Sequence, residues 1–91
     1  MGTVDRYVVR ISLLDRPGAL GQVASRIGAV GGDIVAIDIL QRADGDVVDE
    51  FVIELAGDHL VDLLRSEIHE VDGVRVEDVR RVDPEPAAAD D

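Results

Sequence analysis

The run Asp15-Arg16-Pro17-Gly18-Ala19-Leu20 combines residue types that suit a receptor for a small amino-acid-like molecule. An apolar periodic stretch follows it, so the run opens a helix, whose first N–H groups lack intrahelical partners and carry partial positive charge. Such amides hold a carboxylate. Gly18 has no side chain to obstruct the approach, and Asp15 is placed to receive an ammonium group. The same residues also make a plain strand-to-helix turn, in which proline sets one φ and glycine frees the next.

Other residues that could do chemistry are poorly placed for it. His59 and His69 are ten apart on one predicted helix, so they do not share the i,i+4 spacing of a metal site, and they read as surface histidines. Ser12, Ser25 and Ser66 have no histidine near them in sequence to act as a base. Glu50 and Glu54 share one strand face, where a solvated sheet surface or a subunit contact is expected rather than an acid–base pair. Asp44-Gly45-Asp46 lacks the further ligands and final glutamate of a calcium loop. No metal site, no cofactor and no catalytic residue is expected.

Composition narrows the classes further. Ninety-one residues make one domain and one modest core. With no cysteine, disulfides and thiolate metal sites are excluded. A net charge of −11, no lysine and two aromatic residues make a poor partner for phosphate backbones and stacked bases. No apolar stretch is long enough for a membrane span, and Met1 to Arg10 lack the apolar segment of a secretory signal. The expectation is a cytoplasmic protein bound to neither nucleic acid nor membrane.

The elements that must position these residues follow from periodicity. Tyr7 to Leu14 alternates, with Val9, Ile11 and Leu13 on the buried face. Leu20, Val23, Ile27 and Val30 are spaced three, four and three, one face of a helix that Gly31-Gly32 ends. Ile34 to Arg42 is a β-branched strand with Val35, Ile37 and Ile39 on one side. Asp44-Gly45 makes a hairpin to Val47–Leu55, which turns Phe51, Ile53 and Leu55 inward. Asp58 is the expected N-cap of a second helix with the stripe Val61, Leu64, Ile68 and Val71, closed by Gly73. The last strand, Val74 to Val82, loses its alternation at Glu77-Asp78, which predicts an irregularity or an edge. Residues 1–82 form the domain, and 83–91 read as a disordered acidic tail.

The order β-α-β-β-α-β folds as an α+β, ferredoxin-like βαββαβ sandwich: two interleaved right-handed crossovers, a four-stranded antiparallel sheet and both helices on one face. Three families of that fold are disfavoured by content. An acylphosphatase needs a catalytic asparagine, a metal carrier paired cysteines and an RNA-recognition domain several strand aromatics; the chain has no asparagine, no cysteine and one phenylalanine.

Asp15-Arg16-Pro17-Gly18-Ala19-Leu20, the helix after it, and Gly31-Gly32-Asp33-Ile34 with Ile37 resemble the signature of ACT domains, regulatory modules of amino-acid-controlled enzymes. The likeness covers Tyr7 to Val82, and Ile27 to Leu40 is similar to the ACT segments of some bacterial malic enzymes. The resemblance implies a homodimer with an eight-stranded sheet and an amino-acid-like ligand at its interface. The implied site takes Asp15, Arg16, Pro17, Gly18, Ala19 and Leu20 from one copy and Asp33 and Ile34 from the other. Amino-acid-binding members often have asparagine at the positions of Asp15 and Asp33, and the serine-binding type has histidine where this chain has Leu13, so serine is disfavoured. Asp15 and Asp33, if they frame one cavity, repel each other when it is empty and gain from a cationic group; as exposed turn caps they would do neither. The expected function is non-catalytic regulation of a metabolic enzyme, with a ligand-free dimerisation module as the alternative.

Overall fold

The computed structural model describes residues 4–14, 17–43 and 46–82. Seven elements follow one another: β1 (Asp5–Leu14), α1 (Ala19–Ala29), β2 (Asp33–Ala43), β3 (Asp46–Leu55), a 3-10 turn (Asp58–Leu60), α2 (Val61–His69) and β4 (Arg75–Val82). The strands form one antiparallel sheet in the order β2-β3-β1-β4. β1 and β3 are central, and β2 and β4 are the edges. The expected α+β ferredoxin-like architecture is what forms. The turn at Asp44-Gly45 and the tail from residue 83 lie outside the described residues.

A single core holds the layers together. Tyr7, Val9, Ile11 and Leu13 of β1 and Phe51, Ile53 and Leu55 of β3 meet Val23 and Ile27 of α1 and Leu64 and Ile68 of α2 in one cluster, so both helices cover the same sheet face. Each large aliphatic removed from water there contributes about 1.5–3 kcal/mol.

α1 begins its buried stripe one residue earlier than periodicity suggested. Ala19, Val23 and Ile27 point inward at i, i+4, i+8, while Leu20 is 42 % exposed. A small residue at the first position lets the helix start close to the sheet. Its C-terminus closes as expected: the Gly31 N–H donates to the Gly28 carbonyl (2.9 Å) and the Gly32 N–H to the Ile27 carbonyl (3.0 Å), with Gly31 at φ 78°. Gly32 is needed for space, because a Cβ there would lie 2.8 Å from Ile27 Cγ2 and 3.0 Å from the Ile27 carbonyl oxygen.

Two expectations fail at α2 and β3. Asp58 does not cap α2. It opens the 3-10 turn, in which the Leu60 N–H donates to the Gly57 carbonyl (3.1 Å), and α2 starts behind Leu60 with no side-chain cap. The turn's own backbone bond does locally what a side-chain cap would do. On β3, Asp49 shares the core-facing side with Phe51 and is 3 % exposed, a burial that alternation alone would have assigned to an apolar residue.

Candidate functional site

β1 hands the chain to α1 at one end of the sheet. Gly18 is the residue before the helix, at φ 84° and ψ −10°, a left-handed conformation that glycine adopts without the cost other residues carry. Its carbonyl accepts the first helical bond, from the Gln22 N–H at 3.0 Å. No side chain caps this terminus, and no acidic residue sits in its first turn. The leading N–H groups of α1 therefore keep their partial positive field. Nothing lies within 4 Å of where a Gly18 Cβ would be, so the approach is open.

That terminus faces a groove of about 960 Å³ running along α1 beside the end of α2. Gly18, Gly21, Ser25 and Ala29 make its floor, a row of small residues that exposes the helix backbone. Arg26 stands on the wall and is tied to Glu67 at 3.1 Å. Glu70 and Asp72, just after α2, line the other side. Amide donors and carboxylates thus share one depression, the two groups a zwitterionic amino acid requires. Glu70 and Asp72 were missed by sequence reasoning. Nothing in their local pattern marks them, because only the packing of α1 on α2 brings them beside Gly18.

The sequence-derived site is divided by the fold. Pro17, Gly18 and Leu20 are exposed at the turn, whereas Ala19 is buried in the core and only its backbone is available. Asp15 and Arg16 lie outside the described residues. Asp33 is exposed, and Ile34 packs against the core. Asp33 pairs with Glu54, which pairs with Arg6, while the turn leaves β1 after Leu14 at the opposite end. Eight residues of extended β1 separate the two halves, roughly 27 Å at the usual rise. Within one chain Gly18 and Asp33 do not meet.

Strand β2 is the other unusual surface. Its register slips between Ile34 and Ala36 and again between Ile39 and Gln41, leaving Val35 and Leu40 as bulged residues. Val35, Ile37, Ile39 and Leu40 are 48 %, 40 %, 56 % and 46 % exposed on this edge. Ile37 and Ile39 lie opposite Phe51 and Asp49, on the helix-covered side of the sheet, but the helix layer stops short of them.

Among the described residues no group of three or more histidines, cysteines or acidic residues is arranged to hold a metal, and no helix is long and apolar enough to cross a membrane. His59 and His69 stay apart. His69 is not idle, however: its Nε2 accepts the Val76 N–H at 3.4 Å.

No family model matches the chain, and no curated protein matches it. Solved structures do. The ACT domain of a GTP pyrophosphokinase from Chlorobium tepidum superposes with a TM-score of 0.66 at 22 % identity, covering 88 % of this chain and 100 % of that domain. An ACT domain protein from Streptococcus pneumoniae gives 0.67 at 16 % identity, with 87 % and 91 % covered. An unknown protein from Galdieria sulphuraria gives 0.76 at 16 % identity over 90 % of this chain, which spans 47 % of that protein's length. The chain has an ACT-like fold.

Proposed function

We propose that this chain is a non-catalytic regulatory module that pairs with a copy of itself along β2 and holds an amino-acid-like ligand beside the α1 N-terminus. The observation that carries the proposal is the exposed aliphatic edge of β2. An edge strand of this composition invites a further strand. Antiparallel pairing of β2 with itself, centred near Asp38, carries Asp33 of the partner subunit toward the end where β1 passes into α1. The two halves of the site, distant within one chain, then approach across the interface. A ligand seated there bridges two chains and favours the paired state, which is a means of reporting its presence to an associated metabolic enzyme.

The same apolar edge also suits a pairing module with no ligand. A thermal-shift series with the twenty amino acids separates the two. At a concentration 100 times its Kd, a true ligand stabilises by about 2.7 kcal/mol, a rise of several degrees. A series in which no amino acid moves the melting temperature leaves the pairing module alone.

A further inference from the structure

The sheet face that the helices leave uncovered carries a charge pattern with a direction. β2 and β3 contribute Asp33, Asp38, Glu50 and Glu54 to it. β1 and β4 contribute Arg6, Arg10, Arg75 and Arg80, with Asp78 the one carboxylate on that half. At the seam the charges are already joined, Arg6 to Glu54 at 2.7 Å and Arg10 to Glu50 at 2.8 Å. The outer charges, Asp33 and Asp38 on one flank and Arg75 and Arg80 on the other, form no ion pair among the described residues. Between the flanks Val8 and Val52 pair directly across β1 and β3, both half-buried.

We infer that this open face docks on the same face of a second copy, through a two-fold axis parallel to the strands. That axis lays the β2–β3 half of one copy over the β1–β4 half of the other, so acid meets base on both flanks. It also sets Val8 and Val52 against their own counterparts at the centre. Arg80, opposite Val8, then sits between the levels of Asp33 and Asp38 on the facing β2. An axis perpendicular to the strands would stack β2 on β2, acid on acid, and is excluded by charge alone. Elsewhere the chain repels its copies, with a net charge of −11, whereas this face is close to balanced.

The contact is small. A four-stranded face of this length buries roughly 600 Å² per copy, at the low end for a specific interface. It is therefore weak and sensitive to salt. It uses neither the β2 edge nor the α1 groove, so it stands apart from the proposed function. The edge and face axes do not intersect, and contacts of both kinds together run on as an open series rather than a closed ring.

Sedimentation of the full chain at about 20 mM and about 0.5 M NaCl tests this, the higher salt shortening the range of charge to a few ångström. With both contacts, mass exceeds twice 9.8 kDa at low salt, grows with concentration, and returns to twice at high salt. If the β2 edge does not pair, the face contact alone gives twice the chain mass at low salt and one chain at high salt. Net repulsion between acidic chains predicts the reverse salt dependence. Arg80→Asp should abolish the low-salt component, and adding Asp33→Arg should recover part of it. A mass independent of salt, or an Arg80→Asp chain that still associates as the wild type does, overturns the inference. Loss of the low-salt component on adding a basic peptide or an oligonucleotide, with no self-association in their absence, would assign the face to a different partner and overturn it equally.

Discussion

The two edges of the sheet hold equivalent places in the topology and are made of opposite materials. β4 presents Arg75, Glu77, Asp78, Arg80 and Arg81, all exposed. β2 presents Val35, Ile37, Ile39 and Leu40. Both strands are bulged, β4 at Glu77 where its register against Arg10 and Ile11 slips, β2 at Val35 and Leu40. A bulge by itself therefore does not decide which edge is closed. Charge decides. Covering a row of charges costs several kcal/mol per unpaired ion, whereas covering aliphatic surface gains about 25 cal/mol per Å². One edge resists a further strand along its length, and the other gains from one.

The largest effect should come from making β2 resemble β4. Ile37→Lys with Ile39→Lys puts two charges on the open edge, repeated in the second copy. Four half-exposed side chains at about 1 kcal/mol each correspond to a dissociation constant raised on the order of a thousandfold. At about 0.5 M NaCl, where charge contacts are screened, sedimentation should show the chain mass halved relative to wild type. The melting temperature of the separated chain should hardly move, since both residues are exposed within it. An unchanged mass would place the dimer contact somewhere other than β2.

A smaller effect belongs to β4. The slip at Glu77 takes the Val76 N–H out of regular pairing, and His69, from the last turn of α2, accepts it through Nε2. The ring then carries its proton on Nδ1. His69→Ala should cost about 1 kcal/mol and speed hydrogen exchange at the Val76 amide while leaving central amides of β1 and β3 protected. If Val76 exchanges equally in both proteins, the bond does not hold β4 to α2.

The smallest effect at neutral pH comes from Tyr7, which lies between the edges on β1 and opposite Arg81 of β4. Its hydroxyl is buried with no hydrogen-bond partner. Burial, with Asp5 and Asp58 nearby, pushes its pKa above the ordinary 10.0. A raised folded pKa means that the stability linked to Tyr7 is fully present below pH 10.0 and declines as pH rises through the folded value. Tyr7→Phe should be neutral, or stabilising by up to about 1 kcal/mol, at pH 7. It should also flatten the alkaline limb of a stability–pH curve. A variant that loses stability at pH 7 while keeping that limb would show that the hydroxyl has a partner.

Periodicity alone carried most of the fold, because it reports which side of each element faces a core, and that is local chemistry. The alternation in β1 and β3, the three-and-four spacing in both helices, the glycine stop after α1 and the break at Glu77 could each be read without knowing their neighbours. The failures share a cause. Ala19 rather than Leu20 faces the sheet, Asp49 is buried, Asp58 starts a 3-10 turn, and β2 slips twice, each decided by a neighbour distant in sequence or by the space that neighbour leaves. At the candidate site the glycine turn was legible, because a left-handed residue before a helix has a residue-type signature. The nearness of Glu70 and Asp72 to Gly18, and the distance of Asp33 from it, were not. Crossover connections set those separations, and side-chain chemistry leaves no trace of them along the chain. The charge division of the open face is of the same kind: Asp33, Glu54 and Arg6 are scattered in sequence and become a row only through strand order and register.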